Sequence, residues 1–206
     1  MSQFADTPAE IVLPAPRTTG GKPLMEAIKE RRSTRKYSPV PPSPQEMSDL
    51  LWAAFGLTRE YAGTGISTGG SHAAPAAHNW QEVDVYVATA AGLYLYRPLE
   101  HRLEGVTSQD VRVLTAHEEQ PFVLDAPVIV IYVADLDRMD HSTEKDQAIF
   151  PWADSAGMAQ NVYLYCASAG LATVLRALFD RAPLAAAMGL RPGQRITFSQ
   201  PVGHEG

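Results

Sequence analysis

The run Ala126-Pro127-Val128-Ile129-Val130-Ile131-Tyr132-Val133-Ala134 is apolar at odd and even positions alike. Successive side chains of an extended chain point to opposite faces, so such a strand must be covered on both sides. It reads as the central strand of a sheet. Upstream, Val83, Val85 and Val87 alternate with Asp84, Tyr86 and Ala88, a half-buried strand, and Ala91-Gly92 turns the chain into Leu93-Tyr94-Leu95-Tyr96. Two strands joined this tightly form a hairpin, so the pairing is antiparallel. Ile196-Thr197-Phe198 reads as a last strand.

Helical spacing occupies other stretches. Met47, Leu50, Leu51, Ala54 and Phe55 form one apolar face behind Ser43-Pro44-Gln45-Glu46, a capping-box pattern with proline at the first helical position, and Gly56 closes the helix. Thr107 to Ala116 is expected to form a short helix. Trp152 to Ala169 is expected to form the longest one, with Ala156, Ala159, Val162, Tyr163 and Cys166 along one side. From Val162 onward it is apolar nearly all round, which predicts burial. Gly170 ends it, Leu171 to Leu175 leaves extended, and Pro183 to Met188 is a short helix stopped by Gly189. Residues 1–22 have no periodicity that could bury a face and read as an arm lying on the surface or on a partner, ahead of one domain over 23–206. Arg59 to Ala77, rich in Gly, Ser and Thr, reads as a long loop with a flexible lid at Gly63 to Gly69.

Chemistry concentrates in Glu30-Arg31-Arg32-Ser33-Thr34-Arg35-Lys36-Tyr37. Leu24, Ala27 and Ile28 recur at helical spacing behind Pro23, while Pro39, Pro41, Pro42 and Pro44 forbid a continuing helix, so the basic residues fall at or just past a helix end. Extended from about residue 31, the segment would put Arg31, Ser33 and Arg35 on one face. Two guanidinium forks flanking a hydroxyl suit a phosphate. A solvated basic helix end, favoured by the macrodipole, is the other reading of these residues.

The whole chain carries a formal charge of −6, which argues against a general nucleic-acid binder. Its single cysteine, Cys166, lies in an apolar run, so neither a disulfide framework nor a thiolate metal site is expected. The first residues lack a basic region followed by an apolar core, and no apolar run approaches a membrane span. A soluble, cytoplasmic protein is the default expectation.

Four separated stretches, taken together, resemble the FMN-dependent nitroreductase family, in particular short members grouped with SagB-type dehydrogenases. They are Arg31 to Arg35; Ala74-Pro75-Ala76-Ala77-His78-Asn79-Trp80-Gln81-Glu82; Gln120 through Ala126-Pro127; and Gln160 to Leu164 with Gly170 to Ala177 and the closing Val202-Gly203. The resemblance implies an α+β fold, a mostly antiparallel sheet wrapped by helices, and an intertwined homodimer with FMN at its interface. It assigns Arg31, Arg32 and Ser33 to the FMN phosphate and Arg35 and Gln120 to the pyrimidine edge. Pro75, Ala76, Ala77 and Asn79 would touch the flavin from the partner subunit, and the backbone of Leu175, Arg176 and Ala177 would face the ring. Ala76 stands where many members have Ser, and Ala177 where many have Gly.

The implied activity is an oxidoreductase passing hydride from NAD(P)H through FMN to a small-molecule acceptor such as a nitroaromatic, quinone or enone. A dehydrogenase oxidising its substrate, as in azoline-forming relatives, and a flavin-binding protein without turnover are the alternatives. Other chemistries lack their motifs. His72 and His78 lie in a loop without ligand spacing, His117-Glu118-Glu119 lacks the second histidine of a zincin helix, and no Gly-x-Ser-x-Gly elbow is present. Tyr94, Tyr96, Tyr163 and Tyr165 read as core or strand residues.

Overall fold

The computed structural model describes residues 7–59 and 70–206. In chain order it contains β1 (Ile11–Val12), α1 (Leu24–Glu30), α2 (Pro44–Phe55), β2 (Leu57–Arg59), β3 (Ser71–His72), β4 (Val83–Thr89), β5 (Gly92–Arg97), β6 (Arg102–Thr107), β7 (Val128–Asp135), α3 (Glu144–Ala169), β8 (Leu171–Thr173), α4 (Arg181–Met188) and β9 (Gln194–His204). Seven strands form one sheet in the order β1-β6-β5-β4-β7-β9-β8, with every neighbouring pair antiparallel. The fold is α+β.

The double-sided apolar run is the central strand, and all eight residues of β7 are buried. Its even positions, Val128, Val130, Tyr132 and Ala134, meet Val83, Val85 and Val87 of β4 and the buried faces of α2 and α3. Its odd positions, Ile129, Ile131 and Val133, meet Leu184 and Met188 of α4 and Val111 and Val123 from short 3-10 turns. Alternation thus divides one strand between two cores, as the pleat requires.

Local signals place the helices. Ser43 Oγ accepts from Glu46 N while the Glu46 carboxylate accepts from Ser43 N, completing the capping box of α2. Met47, Leu50, Leu51, Ala54 and Phe55 are all buried. Gly170 and Gly189 end α3 and α4 in left-handed conformation, with φ of 74° and 66°. Cys166 is buried among apolar neighbours.

Several expectations are corrected. Residues 107–116 form no α-helix: Thr107 ends β6, and only Arg112–Thr115 makes a 3-10 turn. The long helix begins at Glu144, capped by Thr143 and Asp146, and passes through Pro151. Proline lacks an N–H, so the Gln147 carbonyl one turn earlier is left to accept from Arg195 instead. From Val162 onward α3 is only partly buried: Val162 and Cys166 are buried, while Tyr163, Leu164, Tyr165, Ala167 and Ser168 are half-buried and Ala169 is exposed. Ile149, Ala153, Ala156 and Gln160 are exposed along α3, and Leu24, Met25 and Ile28 are exposed on α1, with Met25 at 74%. Among the described N-terminal residues, β1 pairs with β6, Leu13 is buried, and Arg17 pairs with Asp49 at 2.7 Å. The 59–77 stretch contributes the β2–β3 ribbon and a 3-10 turn at Ala77–Asn79, while the lid expected at Gly63 to Gly69 lies outside the described residues.

Candidate functional site

Two parts of the site sit along α3. At its C-terminal half, α1 ends with Arg31 N–H on the Ala27 carbonyl, and the chain continues extended, fastened where Thr34 N–H reaches the Thr173 carbonyl. The Arg31 guanidinium lies over the Tyr163 ring at 5.2 Å, and Ser33 Oγ lies 2.9 Å from the Tyr163 hydroxyl. Arg31 and Ser33 therefore share a face, as period-two spacing predicts. Arg32 pairs with Glu205 at 2.8 Å. Arg35 lies over Phe122 at 6.0 Å.

Tyr163 fixes the direction of the local hydrogen bonds. Its oxygen accepts from Leu175 N–H at 2.8 Å, so its own proton is available to Ser33 Oγ. With that bond made, the Ser33 hydroxyl proton is free to donate outward. A cavity of about 560 Å³ opens beside these residues, lined by Lys22, Lys29, Arg31, Arg32, Thr34, Tyr163, Gly170 and Thr173 with Glu30 and Glu205. Lys22 is bonded to Glu30 and Arg32 to Glu205, which leaves Lys29 and Arg31 as cations with no carboxylate partner among the described residues. Arg35 also has none.

The adjoining wall is made by the chain after β8. Arg176 is almost fully buried, and its guanidinium is spent internally: it donates to Gln120 Oε1 at 2.6 Å, to the Thr115 carbonyl at 2.8 Å and to the Leu178 carbonyl at 2.9 Å. Burial lowers its pKa. Its backbone N–H and carbonyl are both paired with Ser199. Leu175 N–H is held by Tyr163, so the exposed Ala177 supplies the one backbone N–H of this trio with no protein partner among the described residues. The bond from Arg176 holds the Gln120 amide by its oxygen, and its NH2 group has no protein partner among the described residues.

Pro75, Ala76, Ala77 and Asn79 lie apart from this cluster. Ala77 N–H donates to Asp154 at 2.8 Å, and Asn161 holds the Ala73 carbonyl at 3.1 Å. From Asp154 to Tyr163 is nine residues of α3, about 14 Å of helix rise. Within one chain, then, the structure gathers Arg31, Ser33, Arg35, Gln120, Leu175, Arg176 and Ala177, with Arg32 at their edge, and sets the Pro75–Asn79 segment elsewhere. Sequence reasoning missed Tyr163, Asp154 and Glu82. Tyr163 was hidden by its place in an apolar helical run, and the carboxylates by partners distant in sequence.

Among the described residues no three His, Cys, Asp or Glu side chains are grouped to hold a metal, and no helix is long and apolar enough to cross a membrane. The site is thus a basic cradle beside the Leu175–Ala177 wall, at the C-terminal part of the longest helix, on an antiparallel sheet flanked by helices. A sequence profile of the Nitroreductase family matches residues 28–204, and the chain belongs to that family. A protein from Ralstonia eutropha JMP134 assigned as a nitroreductase has a crystal structure that is 36% identical, covering 100% of this chain and 96% of its own, with a TM-score of 0.87. A Methanocaldococcus jannaschii protein, also assigned as a nitroreductase, is 29% identical over 159 residues, 73% of this chain and 76% of that one. A nitroreductase-assigned protein of Desulfovibrio desulfuricans, crystallised in complex with FMN, is 21% identical with a TM-score of 0.63, covering 90% of this chain and 88% of its own.

Proposed function

We propose that this chain is an FMN-dependent oxidoreductase that takes hydride from NAD(P)H and passes reducing equivalents to a small organic acceptor such as a nitroaromatic, quinone or enone. The observation that carries the reading is the pair of guanidinium groups, Arg31 and Arg35, which have no carboxylate partner among the described residues and flank in sequence a Ser33 hydroxyl that accepts from Tyr163. In a chain of net charge −6, such unpaired cations call for an anion from outside. The FMN complex of the Desulfovibrio relative agrees with that choice.

When bound, FMN supplies the hydride-accepting and hydride-donating chemistry. The protein's task is to hold and tune it. Arg31 and Ser33, with Arg32 at the rim, hold the phosphate; Arg35 and the free NH2 group of Gln120 serve the pyrimidine edge, where a fixed positive charge favours the anionic reduced form. Ala177 N–H is the wall's donor toward the ring. Pro75, Ala76, Ala77 and Asn79 act from the partner subunit of a homodimer, a role that suits their separation from the cradle and the exposed apolar residues of α1. No side-chain acid or base is needed for hydride transfer itself. Anaerobic mixing of flavin-loaded protein with NADH or NADPH tests the reading. Bleaching of the flavin absorbance, reversed by an added quinone or nitroaromatic, is expected; a flavin that neither nucleotide reduces would overturn it.

A further inference from the structure

Beneath the Pro75–Asn79 segment lies a carboxyl pair with no assigned role. Glu82, the residue before β4, is fully buried, and neither carboxyl oxygen receives a hydrogen bond from an N–H or hydroxyl of any other described residue. The group that acts on it across this site is the carboxyl of Asp154 on α3. The cation facing it, Arg138, is spent otherwise: it donates to the Gln81 and Glu82 carbonyls at 3.0 and 2.9 Å and pairs with Asp84 at 2.6 Å. Two carboxyl groups can share a hydrogen bond only if one carries a proton.

We propose that Glu82 is the protonated member of this pair and that the pair positions the Pro75–Asn79 segment: Glu82 O–H donates to Asp154, and ionised Asp154 accepts both that bond and the Ala77 N–H. The segment needs such an anchor. His78, Asn79 and Gln81 all adopt left-handed backbone, with φ of 50°, 56° and 50°, which non-glycine residues hold only when their surroundings impose it. The Asn161 and Gln81 side chains add neutral bonds at 3.1 and 3.0 Å, whereas the bond from Ala77 to Asp154 is charge-assisted.

Burial, reinforced by the Asp154 charge, pushes Glu82 up to about 7, with Arg138 acting in the opposite direction. The charged groups facing the pair are therefore each other and Arg138, and through Arg138 the carboxylates of Asp84 on β4 and Asp135 on β7. The folded state keeps a proton that the unfolded chain loses above 4.5, so stability falls as pH climbs from there to about 7. Above that, two buried anions repel and the segment loses its fixed geometry. The positioning claim stands on the Ala77 contact; its effect on flavin affinity also rests on the proposed FMN reading.

The test combines a titration of apoprotein carrying 13C-labelled glutamate carboxyls, amide protection at Ala77, and FMN affinity against pH. One glutamate carbon should titrate near 7 and be missing from Glu82→Gln. In wild type the protection factor of Ala77 should fall, and the FMN dissociation constant rise by roughly tenfold, from about pH 6 to about pH 8. Both profiles should be flat in Glu82→Gln, whose amide donates permanently to Asp154, while Asp154→Ala should weaken FMN at every pH. An ordinary Glu82 titration, or a pH profile that survives in Glu82→Gln, would overturn the proposal. If FMN fails to bind at any pH, the cofactor reading falls, and the glutamate signal and Ala77 protection still decide the carboxyl pair.

Discussion

Tyr163 joins residues that the sequence keeps far apart: Ser33 at one end of the cradle, Leu175 at the other, and the face of Arg31. Tyr163→Phe keeps the ring under Arg31 but strands Leu175 N–H and releases Ser33. We expect FMN binding weaker by about 1–3 kcal/mol, measured by flavin fluorescence titration, with the chain still folded. The two arginines separate by function. Arg35→Ala should lower the midpoint potential of the bound flavin, because it removes charge from the edge that becomes anionic on reduction, whereas Arg31→Ala should mainly raise the FMN dissociation constant. A charge-assisted bond is worth about 1.5–3 kcal/mol, so spectroelectrochemistry and titration can resolve both, and exchanged phenotypes would show the arginines assigned to the wrong ends. A half-buried histidine supplies a pH effect of its own. Ser48 donates to the Pro14 carbonyl, so its oxygen accepts from His101 Nε2, and His101 Nδ1 accepts from Tyr96. Burial lowers the His101 pKa below 6.5; the unfolded chain then binds the extra proton first, and stability is lost as pH falls through that region. Thermal unfolding against pH should show this loss, diminished in His101→Gln.

Elements were legible where their signals are local. The capping box and apolar face of α2, the β4–β5 hairpin and the double-sided β7 all follow from spacing within a few residues. Ser43→Ala should accordingly cost about 1 kcal/mol in denaturant unfolding, the usual worth of a helix cap. The illegible elements depend on distant partners or on exceptions. The first turns of α3 lie before Pro151, which ordinarily marks a boundary; here the carbonyl it orphans is met by Arg195. Pro201 likewise masks the length of β9, although β7 and β8 pair on either side of it. β1 is two residues long and exists only because β6 offers it an edge. The cradle followed the same rule: alternation brought Arg31 and Ser33 together, but nothing within a few residues of Gln120 announces its bond to Arg176.

At the scale of the molecule, one chain holds a cradle at one part of α3 and the Pro75–Asn79 segment at another, and it leaves Met25, Leu24 and Ile28 in water. Exposed apolar residues grouped on one short helix, with Ile149, Ala153 and Ala156 also exposed on the longest helix, are what a subunit interface covers. A second copy would add its segment to the first copy's cradle and bury that face. The central claim is therefore that FMN is held between two copies, and the direct measurement is light scattering with simultaneous flavin absorbance on the purified protein, the flavin identified after release. The account predicts a particle of twice the 22.4 kDa chain mass carrying about one FMN per chain. A flavin-loaded particle of 22.4 kDa, or a dimer that takes up FAD but no FMN, would contradict it.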